Sequence, residues 1–280
     1  MVSSSLSIVL PAFNEESRLG PALDELLTYL RSAPEGALPG RVDVLVVDDG
    51  STDGTAALVR SRAEFVEDVA LVEDVESVGA VEASRGAGGA GPELRLLAAP
   101  HHGKGSAVRA GMLAASGDLI VFTDADMATP PDQLPKMIEA LATVDVALGS
   151  RIQPDGSDMR ASQPPFRQFV GKVFRLAARI WVTGPIEDTQ CGFKGFRREA
   201  ARDLFARLRI TSIVFDVDLI FLARRRGYRM TCVPVVWADR RGSRMHARPR
   251  LAMRVAWDLL RIRFVHRGLK RMAAESAPAK

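Results

Sequence analysis

Between residues 6 and 149 this chain repeats one order: a short apolar run, a polar cluster, then an amphipathic stretch. That repetition constrains the fold more than any other feature. Leu6–Leu10 and Val42–Val47 read as buried strands, with an apolar-periodic helix from about Arg18 to Leu30 between them. Leu94–Ala98 reads as a strand, Lys104–Ala115 as a helix and Leu119–Thr123 as a strand. Asp132–Leu141 and Val144–Gly149 continue as helix and strand. Strands apolar along their whole length are covered on both faces, and helical crossovers supply the cover. The expectation is an α/β fold, a mostly parallel sheet flanked by helices. Ligands bind such sheets beyond the carboxyl ends of the strands.

Polar residues gather at those ends. Pro11–Glu15 follows the first strand, Asp48-Asp49 the second, and Asp124-Ala125-Asp126 the strand Leu119–Thr123. Alternate side chains of an extended segment share a face, so Asp124 and Asp126 can converge on one hard cation. Mg²⁺ or Mn²⁺ suits such oxygen ligands, and Mg²⁺ typically takes one or two carboxylates plus substrate phosphates. Asp-x-Asp alone is weak, and Asp216-Val217-Asp218 is a second instance. Position favours the first, because Pro130-Pro131 then opens a helix. Gly86, Gly88 and Gly91 spell a dinucleotide fingerprint without the strand before it or the helix after it, and are set aside.

After Arg151 the alternation weakens. Helices are expected at Phe166–Val182, Arg198–Ala206 and Asp216–Arg226, a loop over residues 184–194, and a strand at Met230–Pro234. Residues 63–84 hold seven acidic residues and no Lys or Arg, then run into a Gly-rich stretch, so 63–92 reads as an insertion or linker. The domain expectation is a catalytic unit over 1–245 and a basic amphipathic helix and tail over 246–280.

Four motifs occur in order: Val9-Leu10-Pro11-Ala12-Phe13-Asn14-Glu15-Glu16, Val46-Val47-Asp48-Asp49-Gly50-Ser51-Thr52-Asp53-Gly54-Thr55, Gly103-Lys104-Gly105 and Asp124-Ala125-Asp126. Together they resemble the inverting family-2 glycosyltransferases with the nucleotide-diphospho-sugar-binding, GT-A type fold. The resemblance spans roughly residues 6–245. Within that family, Asp188-Thr189-Gln190-Cys191-Gly192-Phe193-Lys194 and Phe215-Asp216-Val217-Asp218-Leu219 look like the polyprenyl-phosphate sugar synthases.

The resemblance implies roles for particular residues. Pro11, Ala12 and Glu15 would lie along the nucleoside, and Asp48 or Asp49 would accept from the base. Lys104 would meet a phosphate. Asp124, Ala125 and Asp126 would line the nucleotide-sugar site, Asp126 and Asp124 holding Mg²⁺ or Mn²⁺. Arg151, Arg160 and Arg167 would bind the acceptor phosphate, since guanidinium matches phosphate bidentately. Asp188 and Asp216 would stand near the acceptor, as base or as orienting groups. Structural readings stand beside these: Asp48 or Asp49 capping the turn at Asp53–Val59, Lys104 solvated, Asp188 bracing its loop, Asp216 capping the helix after it.

The implied reaction moves a hexose, glucose from UDP-glucose, to a polyprenyl or dolichyl phosphate lipid. The alternatives are a GDP-mannose-dependent synthase or a soluble acceptor. A nucleotidyltransferase would need a glycine-rich basic loop directly after the first strand, which Pro11-Ala12-Phe13-Asn14-Glu15 is not. Nothing in the sequence patterns a nucleic-acid reader.

Charge is lopsided. Ten Lys/Arg between Arg244 and Lys280 face only Asp258 and Glu275, a balance of +8 in a chain of net +4. Within Arg248–Arg271, Leu251, Val255, Leu259 and Ile262 recur at helical spacing, with Trp257, Leu260 and Phe264 widening the apolar face. Such a helix either packs on the catalytic domain or lies in an anionic membrane interface. With no signal peptide or long apolar span visible in the sequence, the expectation is a cytoplasmic protein held peripherally at a membrane. Cys191 and Cys232 read as small core residues.

Overall fold

A computed structural model describes residues 5–69, 91–162, 165–186, 188–238 and 249–270. The strands are β1 (Ser5–Ala12), β2 (Arg41–Asp48), β3 (Phe65–Val69), β4 (Glu93–Ala98), β5 (Leu119–Thr123), β6 (Val146–Ser150), β7 (Phe193–Arg197) and β8 (Met230–Pro234). They form one sheet in the order β3-β4-β2-β1-β5-β7-β6-β8. All neighbours run parallel except β7, which is antiparallel to both β5 and β6. The helices are α1 (Glu16–Ser32), α2 (Thr55–Arg60), α3 (Lys104–Ala114), α4 (Leu134–Thr143), α5 (Pro165–Ala178), α6 (Arg198–Arg207), α7 (Phe215–Arg226) and α8 (Pro249–Val265). A π-helical turn, Arg179–Thr183, extends α5.

Two apolar layers explain why the central strands are apolar over most of their length, buried Ser7 and Asp43 pairing with each other at 2.7 Å. On one side Leu6, Ile8 and Leu10 of β1 pack with Leu19, Leu23 and Leu26 of α1 and Met137 of α4. On the other, Val9, Val47 and Phe122 pack with Val108 and Met112 of α3, Phe205 of α6 and Ile220 of α7. Gly111 sets how close α3 lies: a Cβ there would press on the Val9 and Val47 side chains. The mixed sheet with flanking helices is the architecture expected from the sequence.

Two strands were not. The segment taken as a loop through Lys194 continues as β7. Its second residue is a lysine, which breaks the apolar signature, yet Lys194 is fully buried because Asp216 pairs with it at 2.6 Å. Phe196, two residues on, stacks on Phe122 with centroids 6.4 Å apart. The 63–92 stretch begins with β3, an edge strand whose exposed Asp68 and half-buried Glu67 disguise it as a solvated run. Residues 70–90, including the glycines at 86 and 88, lie outside the described residues. Cys191 is buried as expected, whereas Cys232 is exposed: it points to the opposite face of β8 from the buried Val233.

A third apolar cluster joins Ala178 and Val182 to Val214, the N-cap of α7, to Val217 within it, and to Leu259 and Ile262 of α8. His266, just beyond α8, reaches Asp218 of α7 at 2.7 Å, and both are buried. The Leu259–Ile262 face of α8 is therefore docked on the protein. Met253, Trp257, Leu260 and Phe264 are exposed.

Candidate active site

The carboxyl ends of β1, β2 and β5 carry the residues expected to meet a nucleotide. Beyond β1, Asn14 adopts a left-handed backbone (φ 53°), and its Oδ1 accepts from the Thr52 amide at 2.8 Å. This stitches the Pro11–Glu15 turn to the turn after β2. Pro11 and Ala12 pair with Val47 and Asp48 of β2. Glu15 clasps Arg18, with Nε donating to Oε2 at 2.7 Å. Asp48 accepts from the Ser51 amide at 3.1 Å, and Asp49 accepts from the His102 and Gly103 amides at 3.0 Å each. Both carboxylates are buried. The N-cap of α2 is Gly54, with no side-chain cap; Asp53, one residue earlier, accepts from the Thr55 amide through Oδ1, and Asp48 and Asp49 are engaged elsewhere. Asp49 instead anchors the loop that leads into α3, and through it places Lys104.

Lys104 opens α3 and points across to Asp124, Nζ to Oδ1 2.6 Å. Burial acts to lower the Lys104 ammonium, but Asp124, Asp216 and Asp126 outweigh it and raise it. The strand stops at Thr123, Ala125 is buried, and the Met127 amide donates back to the Asp124 carbonyl at 3.0 Å, so a turn and not an extended run carries the two carboxylates. Burial and the adjacent Asp124 raise the Asp126 carboxyl above the usual range. A carboxylate in that state gains from a cation. Oxygen-only donors two residues apart at a strand end fit Mg²⁺ or Mn²⁺ whose remaining positions belong to phosphate and water. No cluster of three metal-ligating side chains occurs among the described residues. Gly192 backs Asp124: its carbonyl accepts from the Asp124 amide at 3.1 Å, and a Cβ there would strike the Asp124 carboxylate.

The other half of the site lies beyond β6. Arg151 makes a bidentate pair with Asp188, Nε–Oδ2 2.8 Å and Nη2–Oδ1 2.7 Å, while the Arg151 amide also donates to Oδ2 at 2.8 Å. Arg160 reaches Asp188 at 3.3 Å and Asp158 at 2.7 Å. The Asp188 side chain is wholly buried. Burial would raise its carboxyl, yet Arg151 and Arg160 hold it down at about 2. A carboxylate so clasped is placed to orient the two arginines. Asp216 differs. Burial raises it above the usual range against the pull of Lys194 and Lys104. Its partner in the structure is Lys194 Nζ, so it does not cap α7. Arg167 lies on α5 with its side chain outside the described residues.

Four site residues escaped the sequence reading. Lys194 lay inside a quoted motif but was not singled out. Arg175 on α5 is lowered first by burial and next by Arg160, which places it in the arginine cluster. Trp237 lies with its ring 5.5 Å from the Arg151 guanidinium carbon. His101 stacks on Phe13 at 4.0 Å beside Asp49. Two signals were available: an aromatic directly after a strand's Pro-Ala end, and a tryptophan just past the final strand.

Residues 7–205 match the sequence model of glycosyl transferase family 2. The chain belongs to that family. This glycosyltransferase is 35% identical over 263 residues to a dolichyl-phosphate beta-glucosyltransferase of Trichomonas vaginalis, covering 91% of this chain and 70% of the relative. It is 34% identical over 252 residues to the Drosophila melanogaster enzyme of the same name, covering 87% and 70%. Among solved structures it is similar in fold to glucosyl-3-phosphoglycerate synthase of Mycobacterium tuberculosis in complex with Mn²⁺, UDP and glucosyl-3-phosphoglycerate. That likeness has a TM-score of 0.55 at 20% identity, covering 92% of this chain and 80% of the other. The GT-A type fold and the enzyme class expected from the motifs therefore stand.

Proposed function

We propose that this glycosyltransferase moves glucose from UDP-glucose to a polyprenyl phosphate of the dolichyl type, with inversion and with a divalent metal. The carrying observation is the arginine cluster beyond β6. Among the described residues, Arg151, Arg160 and Arg175 gather around two carboxylates, Asp158 and Asp188, an excess of positive charge suited to a phosphate. The cluster faces the Asp124–Asp126 edge across β7. The names of the 35% and 34% identical relatives support the lipid acceptor and the glucose, and the Mn²⁺ and UDP of the similar fold support the donor and the metal.

On this reading the nucleoside lies along Pro11, Ala12 and Glu15, with the Asp48–Asp49 turn at the base and Lys104 at the diphosphate. Asp126, with Asp124, would hold Mg²⁺ or Mn²⁺, which when bound stabilises the leaving nucleoside diphosphate. Asp188 fixes the fork of Arg151, and Trp237 covers that guanidinium's face, so the phosphate meets donors already oriented. A phosphate oxygen is already deprotonated near neutral pH, so the nucleophile needs no strong base. Asp216, its burial held in check by Lys194, is the carboxylate available to steer the acceptor or the hexose. An acceptor of this kind works at a membrane surface. No helix among the described residues is long and apolar enough to cross one.

The test is a panel of labelled UDP-glucose, UDP-galactose and GDP-mannose with polyprenyl phosphate or 3-phosphoglycerate, with and without EDTA, read after lipid extraction. Label in the lipid phase from UDP-glucose, lost with EDTA, is expected. Transfer to 3-phosphoglycerate alone, or preference for GDP-mannose, overturns the acceptor or the donor respectively. Asp126→Ala should fold normally and lose transfer by at least about 10³-fold, since several kcal/mol of charge stabilisation goes with the metal.

A further inference from the structure

Two helices carry apolar stripes that the fold leaves uncovered. On α5 and its π turn, Val173, Leu176 and Ile180 share one side, and Ile180 is 75% exposed. On α8, Met253, Trp257, Leu260 and Phe264 recur at offsets of four, three and four, and Trp257 is 64% exposed. These stripes are not the underside of a poorly packed core. The opposite faces are already filled, Ala178 and Val182 from one helix meeting Leu259 and Ile262 from the other around Val214 and Val217. The stripes also adjoin. Trp181 Nε1 donates to the Leu260 carbonyl at 3.3 Å, and the Arg263 guanidinium lies 5.0 Å over the Trp181 ring.

We propose that α5 and α8 together form a docking face for an anionic lipid bilayer, which seats the acceptor arginines at headgroup depth. The proposal rests on the lipid-phosphate reading of the acceptor and names the surface by which that acceptor is reached. Charge selects lipid over a protein partner. Residues 249–270 carry six Lys/Arg against the single acid Asp258, and that acid is buried and faces Arg261 at 3.7 Å. Arg254, Arg263 and Arg267 are exposed beside the stripe, Arg267 lying 4.4 Å over Phe264. Tryptophan and phenylalanine flanked by arginines suit the boundary between headgroups and acyl chains, and a contiguous exposed apolar face marks an interaction site. The link to catalysis is α5 itself. Arg175 acts electrostatically on the Arg160, Asp158, Asp188 and Arg151 cluster, while Val173 and Leu176, two residues before it and one after, are exposed. A lipid whose phosphate enters the arginine cluster has a greasy surface beside it for its chain.

The experiment is co-sedimentation of the full chain with vesicles that contain neither acceptor nor nucleotide sugar. One set is phosphatidylcholine, the other phosphatidylcholine with phosphatidylglycerol. Binding to the anionic set is expected, at least tenfold weaker for the neutral set and reduced by high salt. Ile180→Glu and Trp257→Glu should each weaken binding at least tenfold without moving the thermal midpoint, both side chains being exposed. Val66→Glu, at an exposed valine on the edge strand β3, should change nothing. Undiminished binding by both stripe variants overturns the proposal. So does a concentration-dependent dimer, seen by light scattering, that those variants abolish without vesicle binding. Transfer to a short, water-dispersed polyprenyl phosphate separates the two readings. The stripe variants should keep it within about twofold; vesicle binding without any such transfer would sink the acceptor assignment and leave the docking face standing.

Discussion

At the scale of single residues, Asp188 is the clearest case of a side chain whose surroundings choose its role. Its carboxyl, at about 2 in the folded protein, is depressed below an unfolded aspartate near ~3.9. A depressed carboxyl contributes stability above its unfolded value and loses it as pH falls through the folded one. Asp188→Asn should therefore lower stability by about 2 kcal/mol at neutral pH. Thermal melts should show the gap to the parent closing between about pH 4 and pH 2. Arg151→Ala should raise the apparent KM for polyprenyl phosphate at least tenfold more than that for the nucleotide sugar, because its free donors serve the acceptor. An equal rise in both would move Arg151 to the donor side. Asp124, Asp126 and Arg151 were legible in the sequence because each follows an apolar strand directly. Arg175 was not, since nothing local marks it, and Trp237 offered only its place just past β8; their meaning comes from where α5 and the chain after β8 lie against the site.

Among elements, β7 carries the most information and was the hardest to read. Propensity sees Phe193-Lys194-Gly195-Phe196-Arg197 as mixed, because a lysine counts against burial until its partner on another helix is known. β1, β2 and β5 posed no such difficulty, their residues being mostly apolar on both faces. β3 failed for the opposite reason, an edge strand needing only one covered side. Where β7 begins, Gly192 leaves room for the Asp124 carboxylate. In Gly192→Ala the end of a flexible side chain, not backbone, must give way, so stability should hardly change. A displaced Asp124 should nonetheless cost activity, on the order of 10²-fold for a shift near 1 Å. A melt within a degree or two of the parent, with much reduced kcat, checks this. Full activity would show that Asp124 does not need that position.

For the whole molecule, the question is whether the basic C-terminal region is an appendage. Charge and periodicity made the helix legible but left its burial open, because the Leu259–Ile262 face and the Trp257–Phe264 face are both apolar and only packing tells them apart. Ile262 is fully buried against Val214 and Val217, and His266 pairs with buried Asp218. Ile262→Ala should cost about 2–5 kcal/mol, the range for large-to-small changes in a core. Removal of residues 249–280 should lower the thermal midpoint more than that single change does. A truncated protein melting like the parent would make α8 a tether.

The reversed strand has one more consequence. Because β7 is inserted between β5 and β6, the donor edge and the arginine edge stand two strand spacings apart, roughly 10 Å. Backbone hydrogen bonding sets that interval, and no loop does. It acts as a ruler: on the proposed reading, loop changes alter which donor or acceptor is held while the gap between them stays constant.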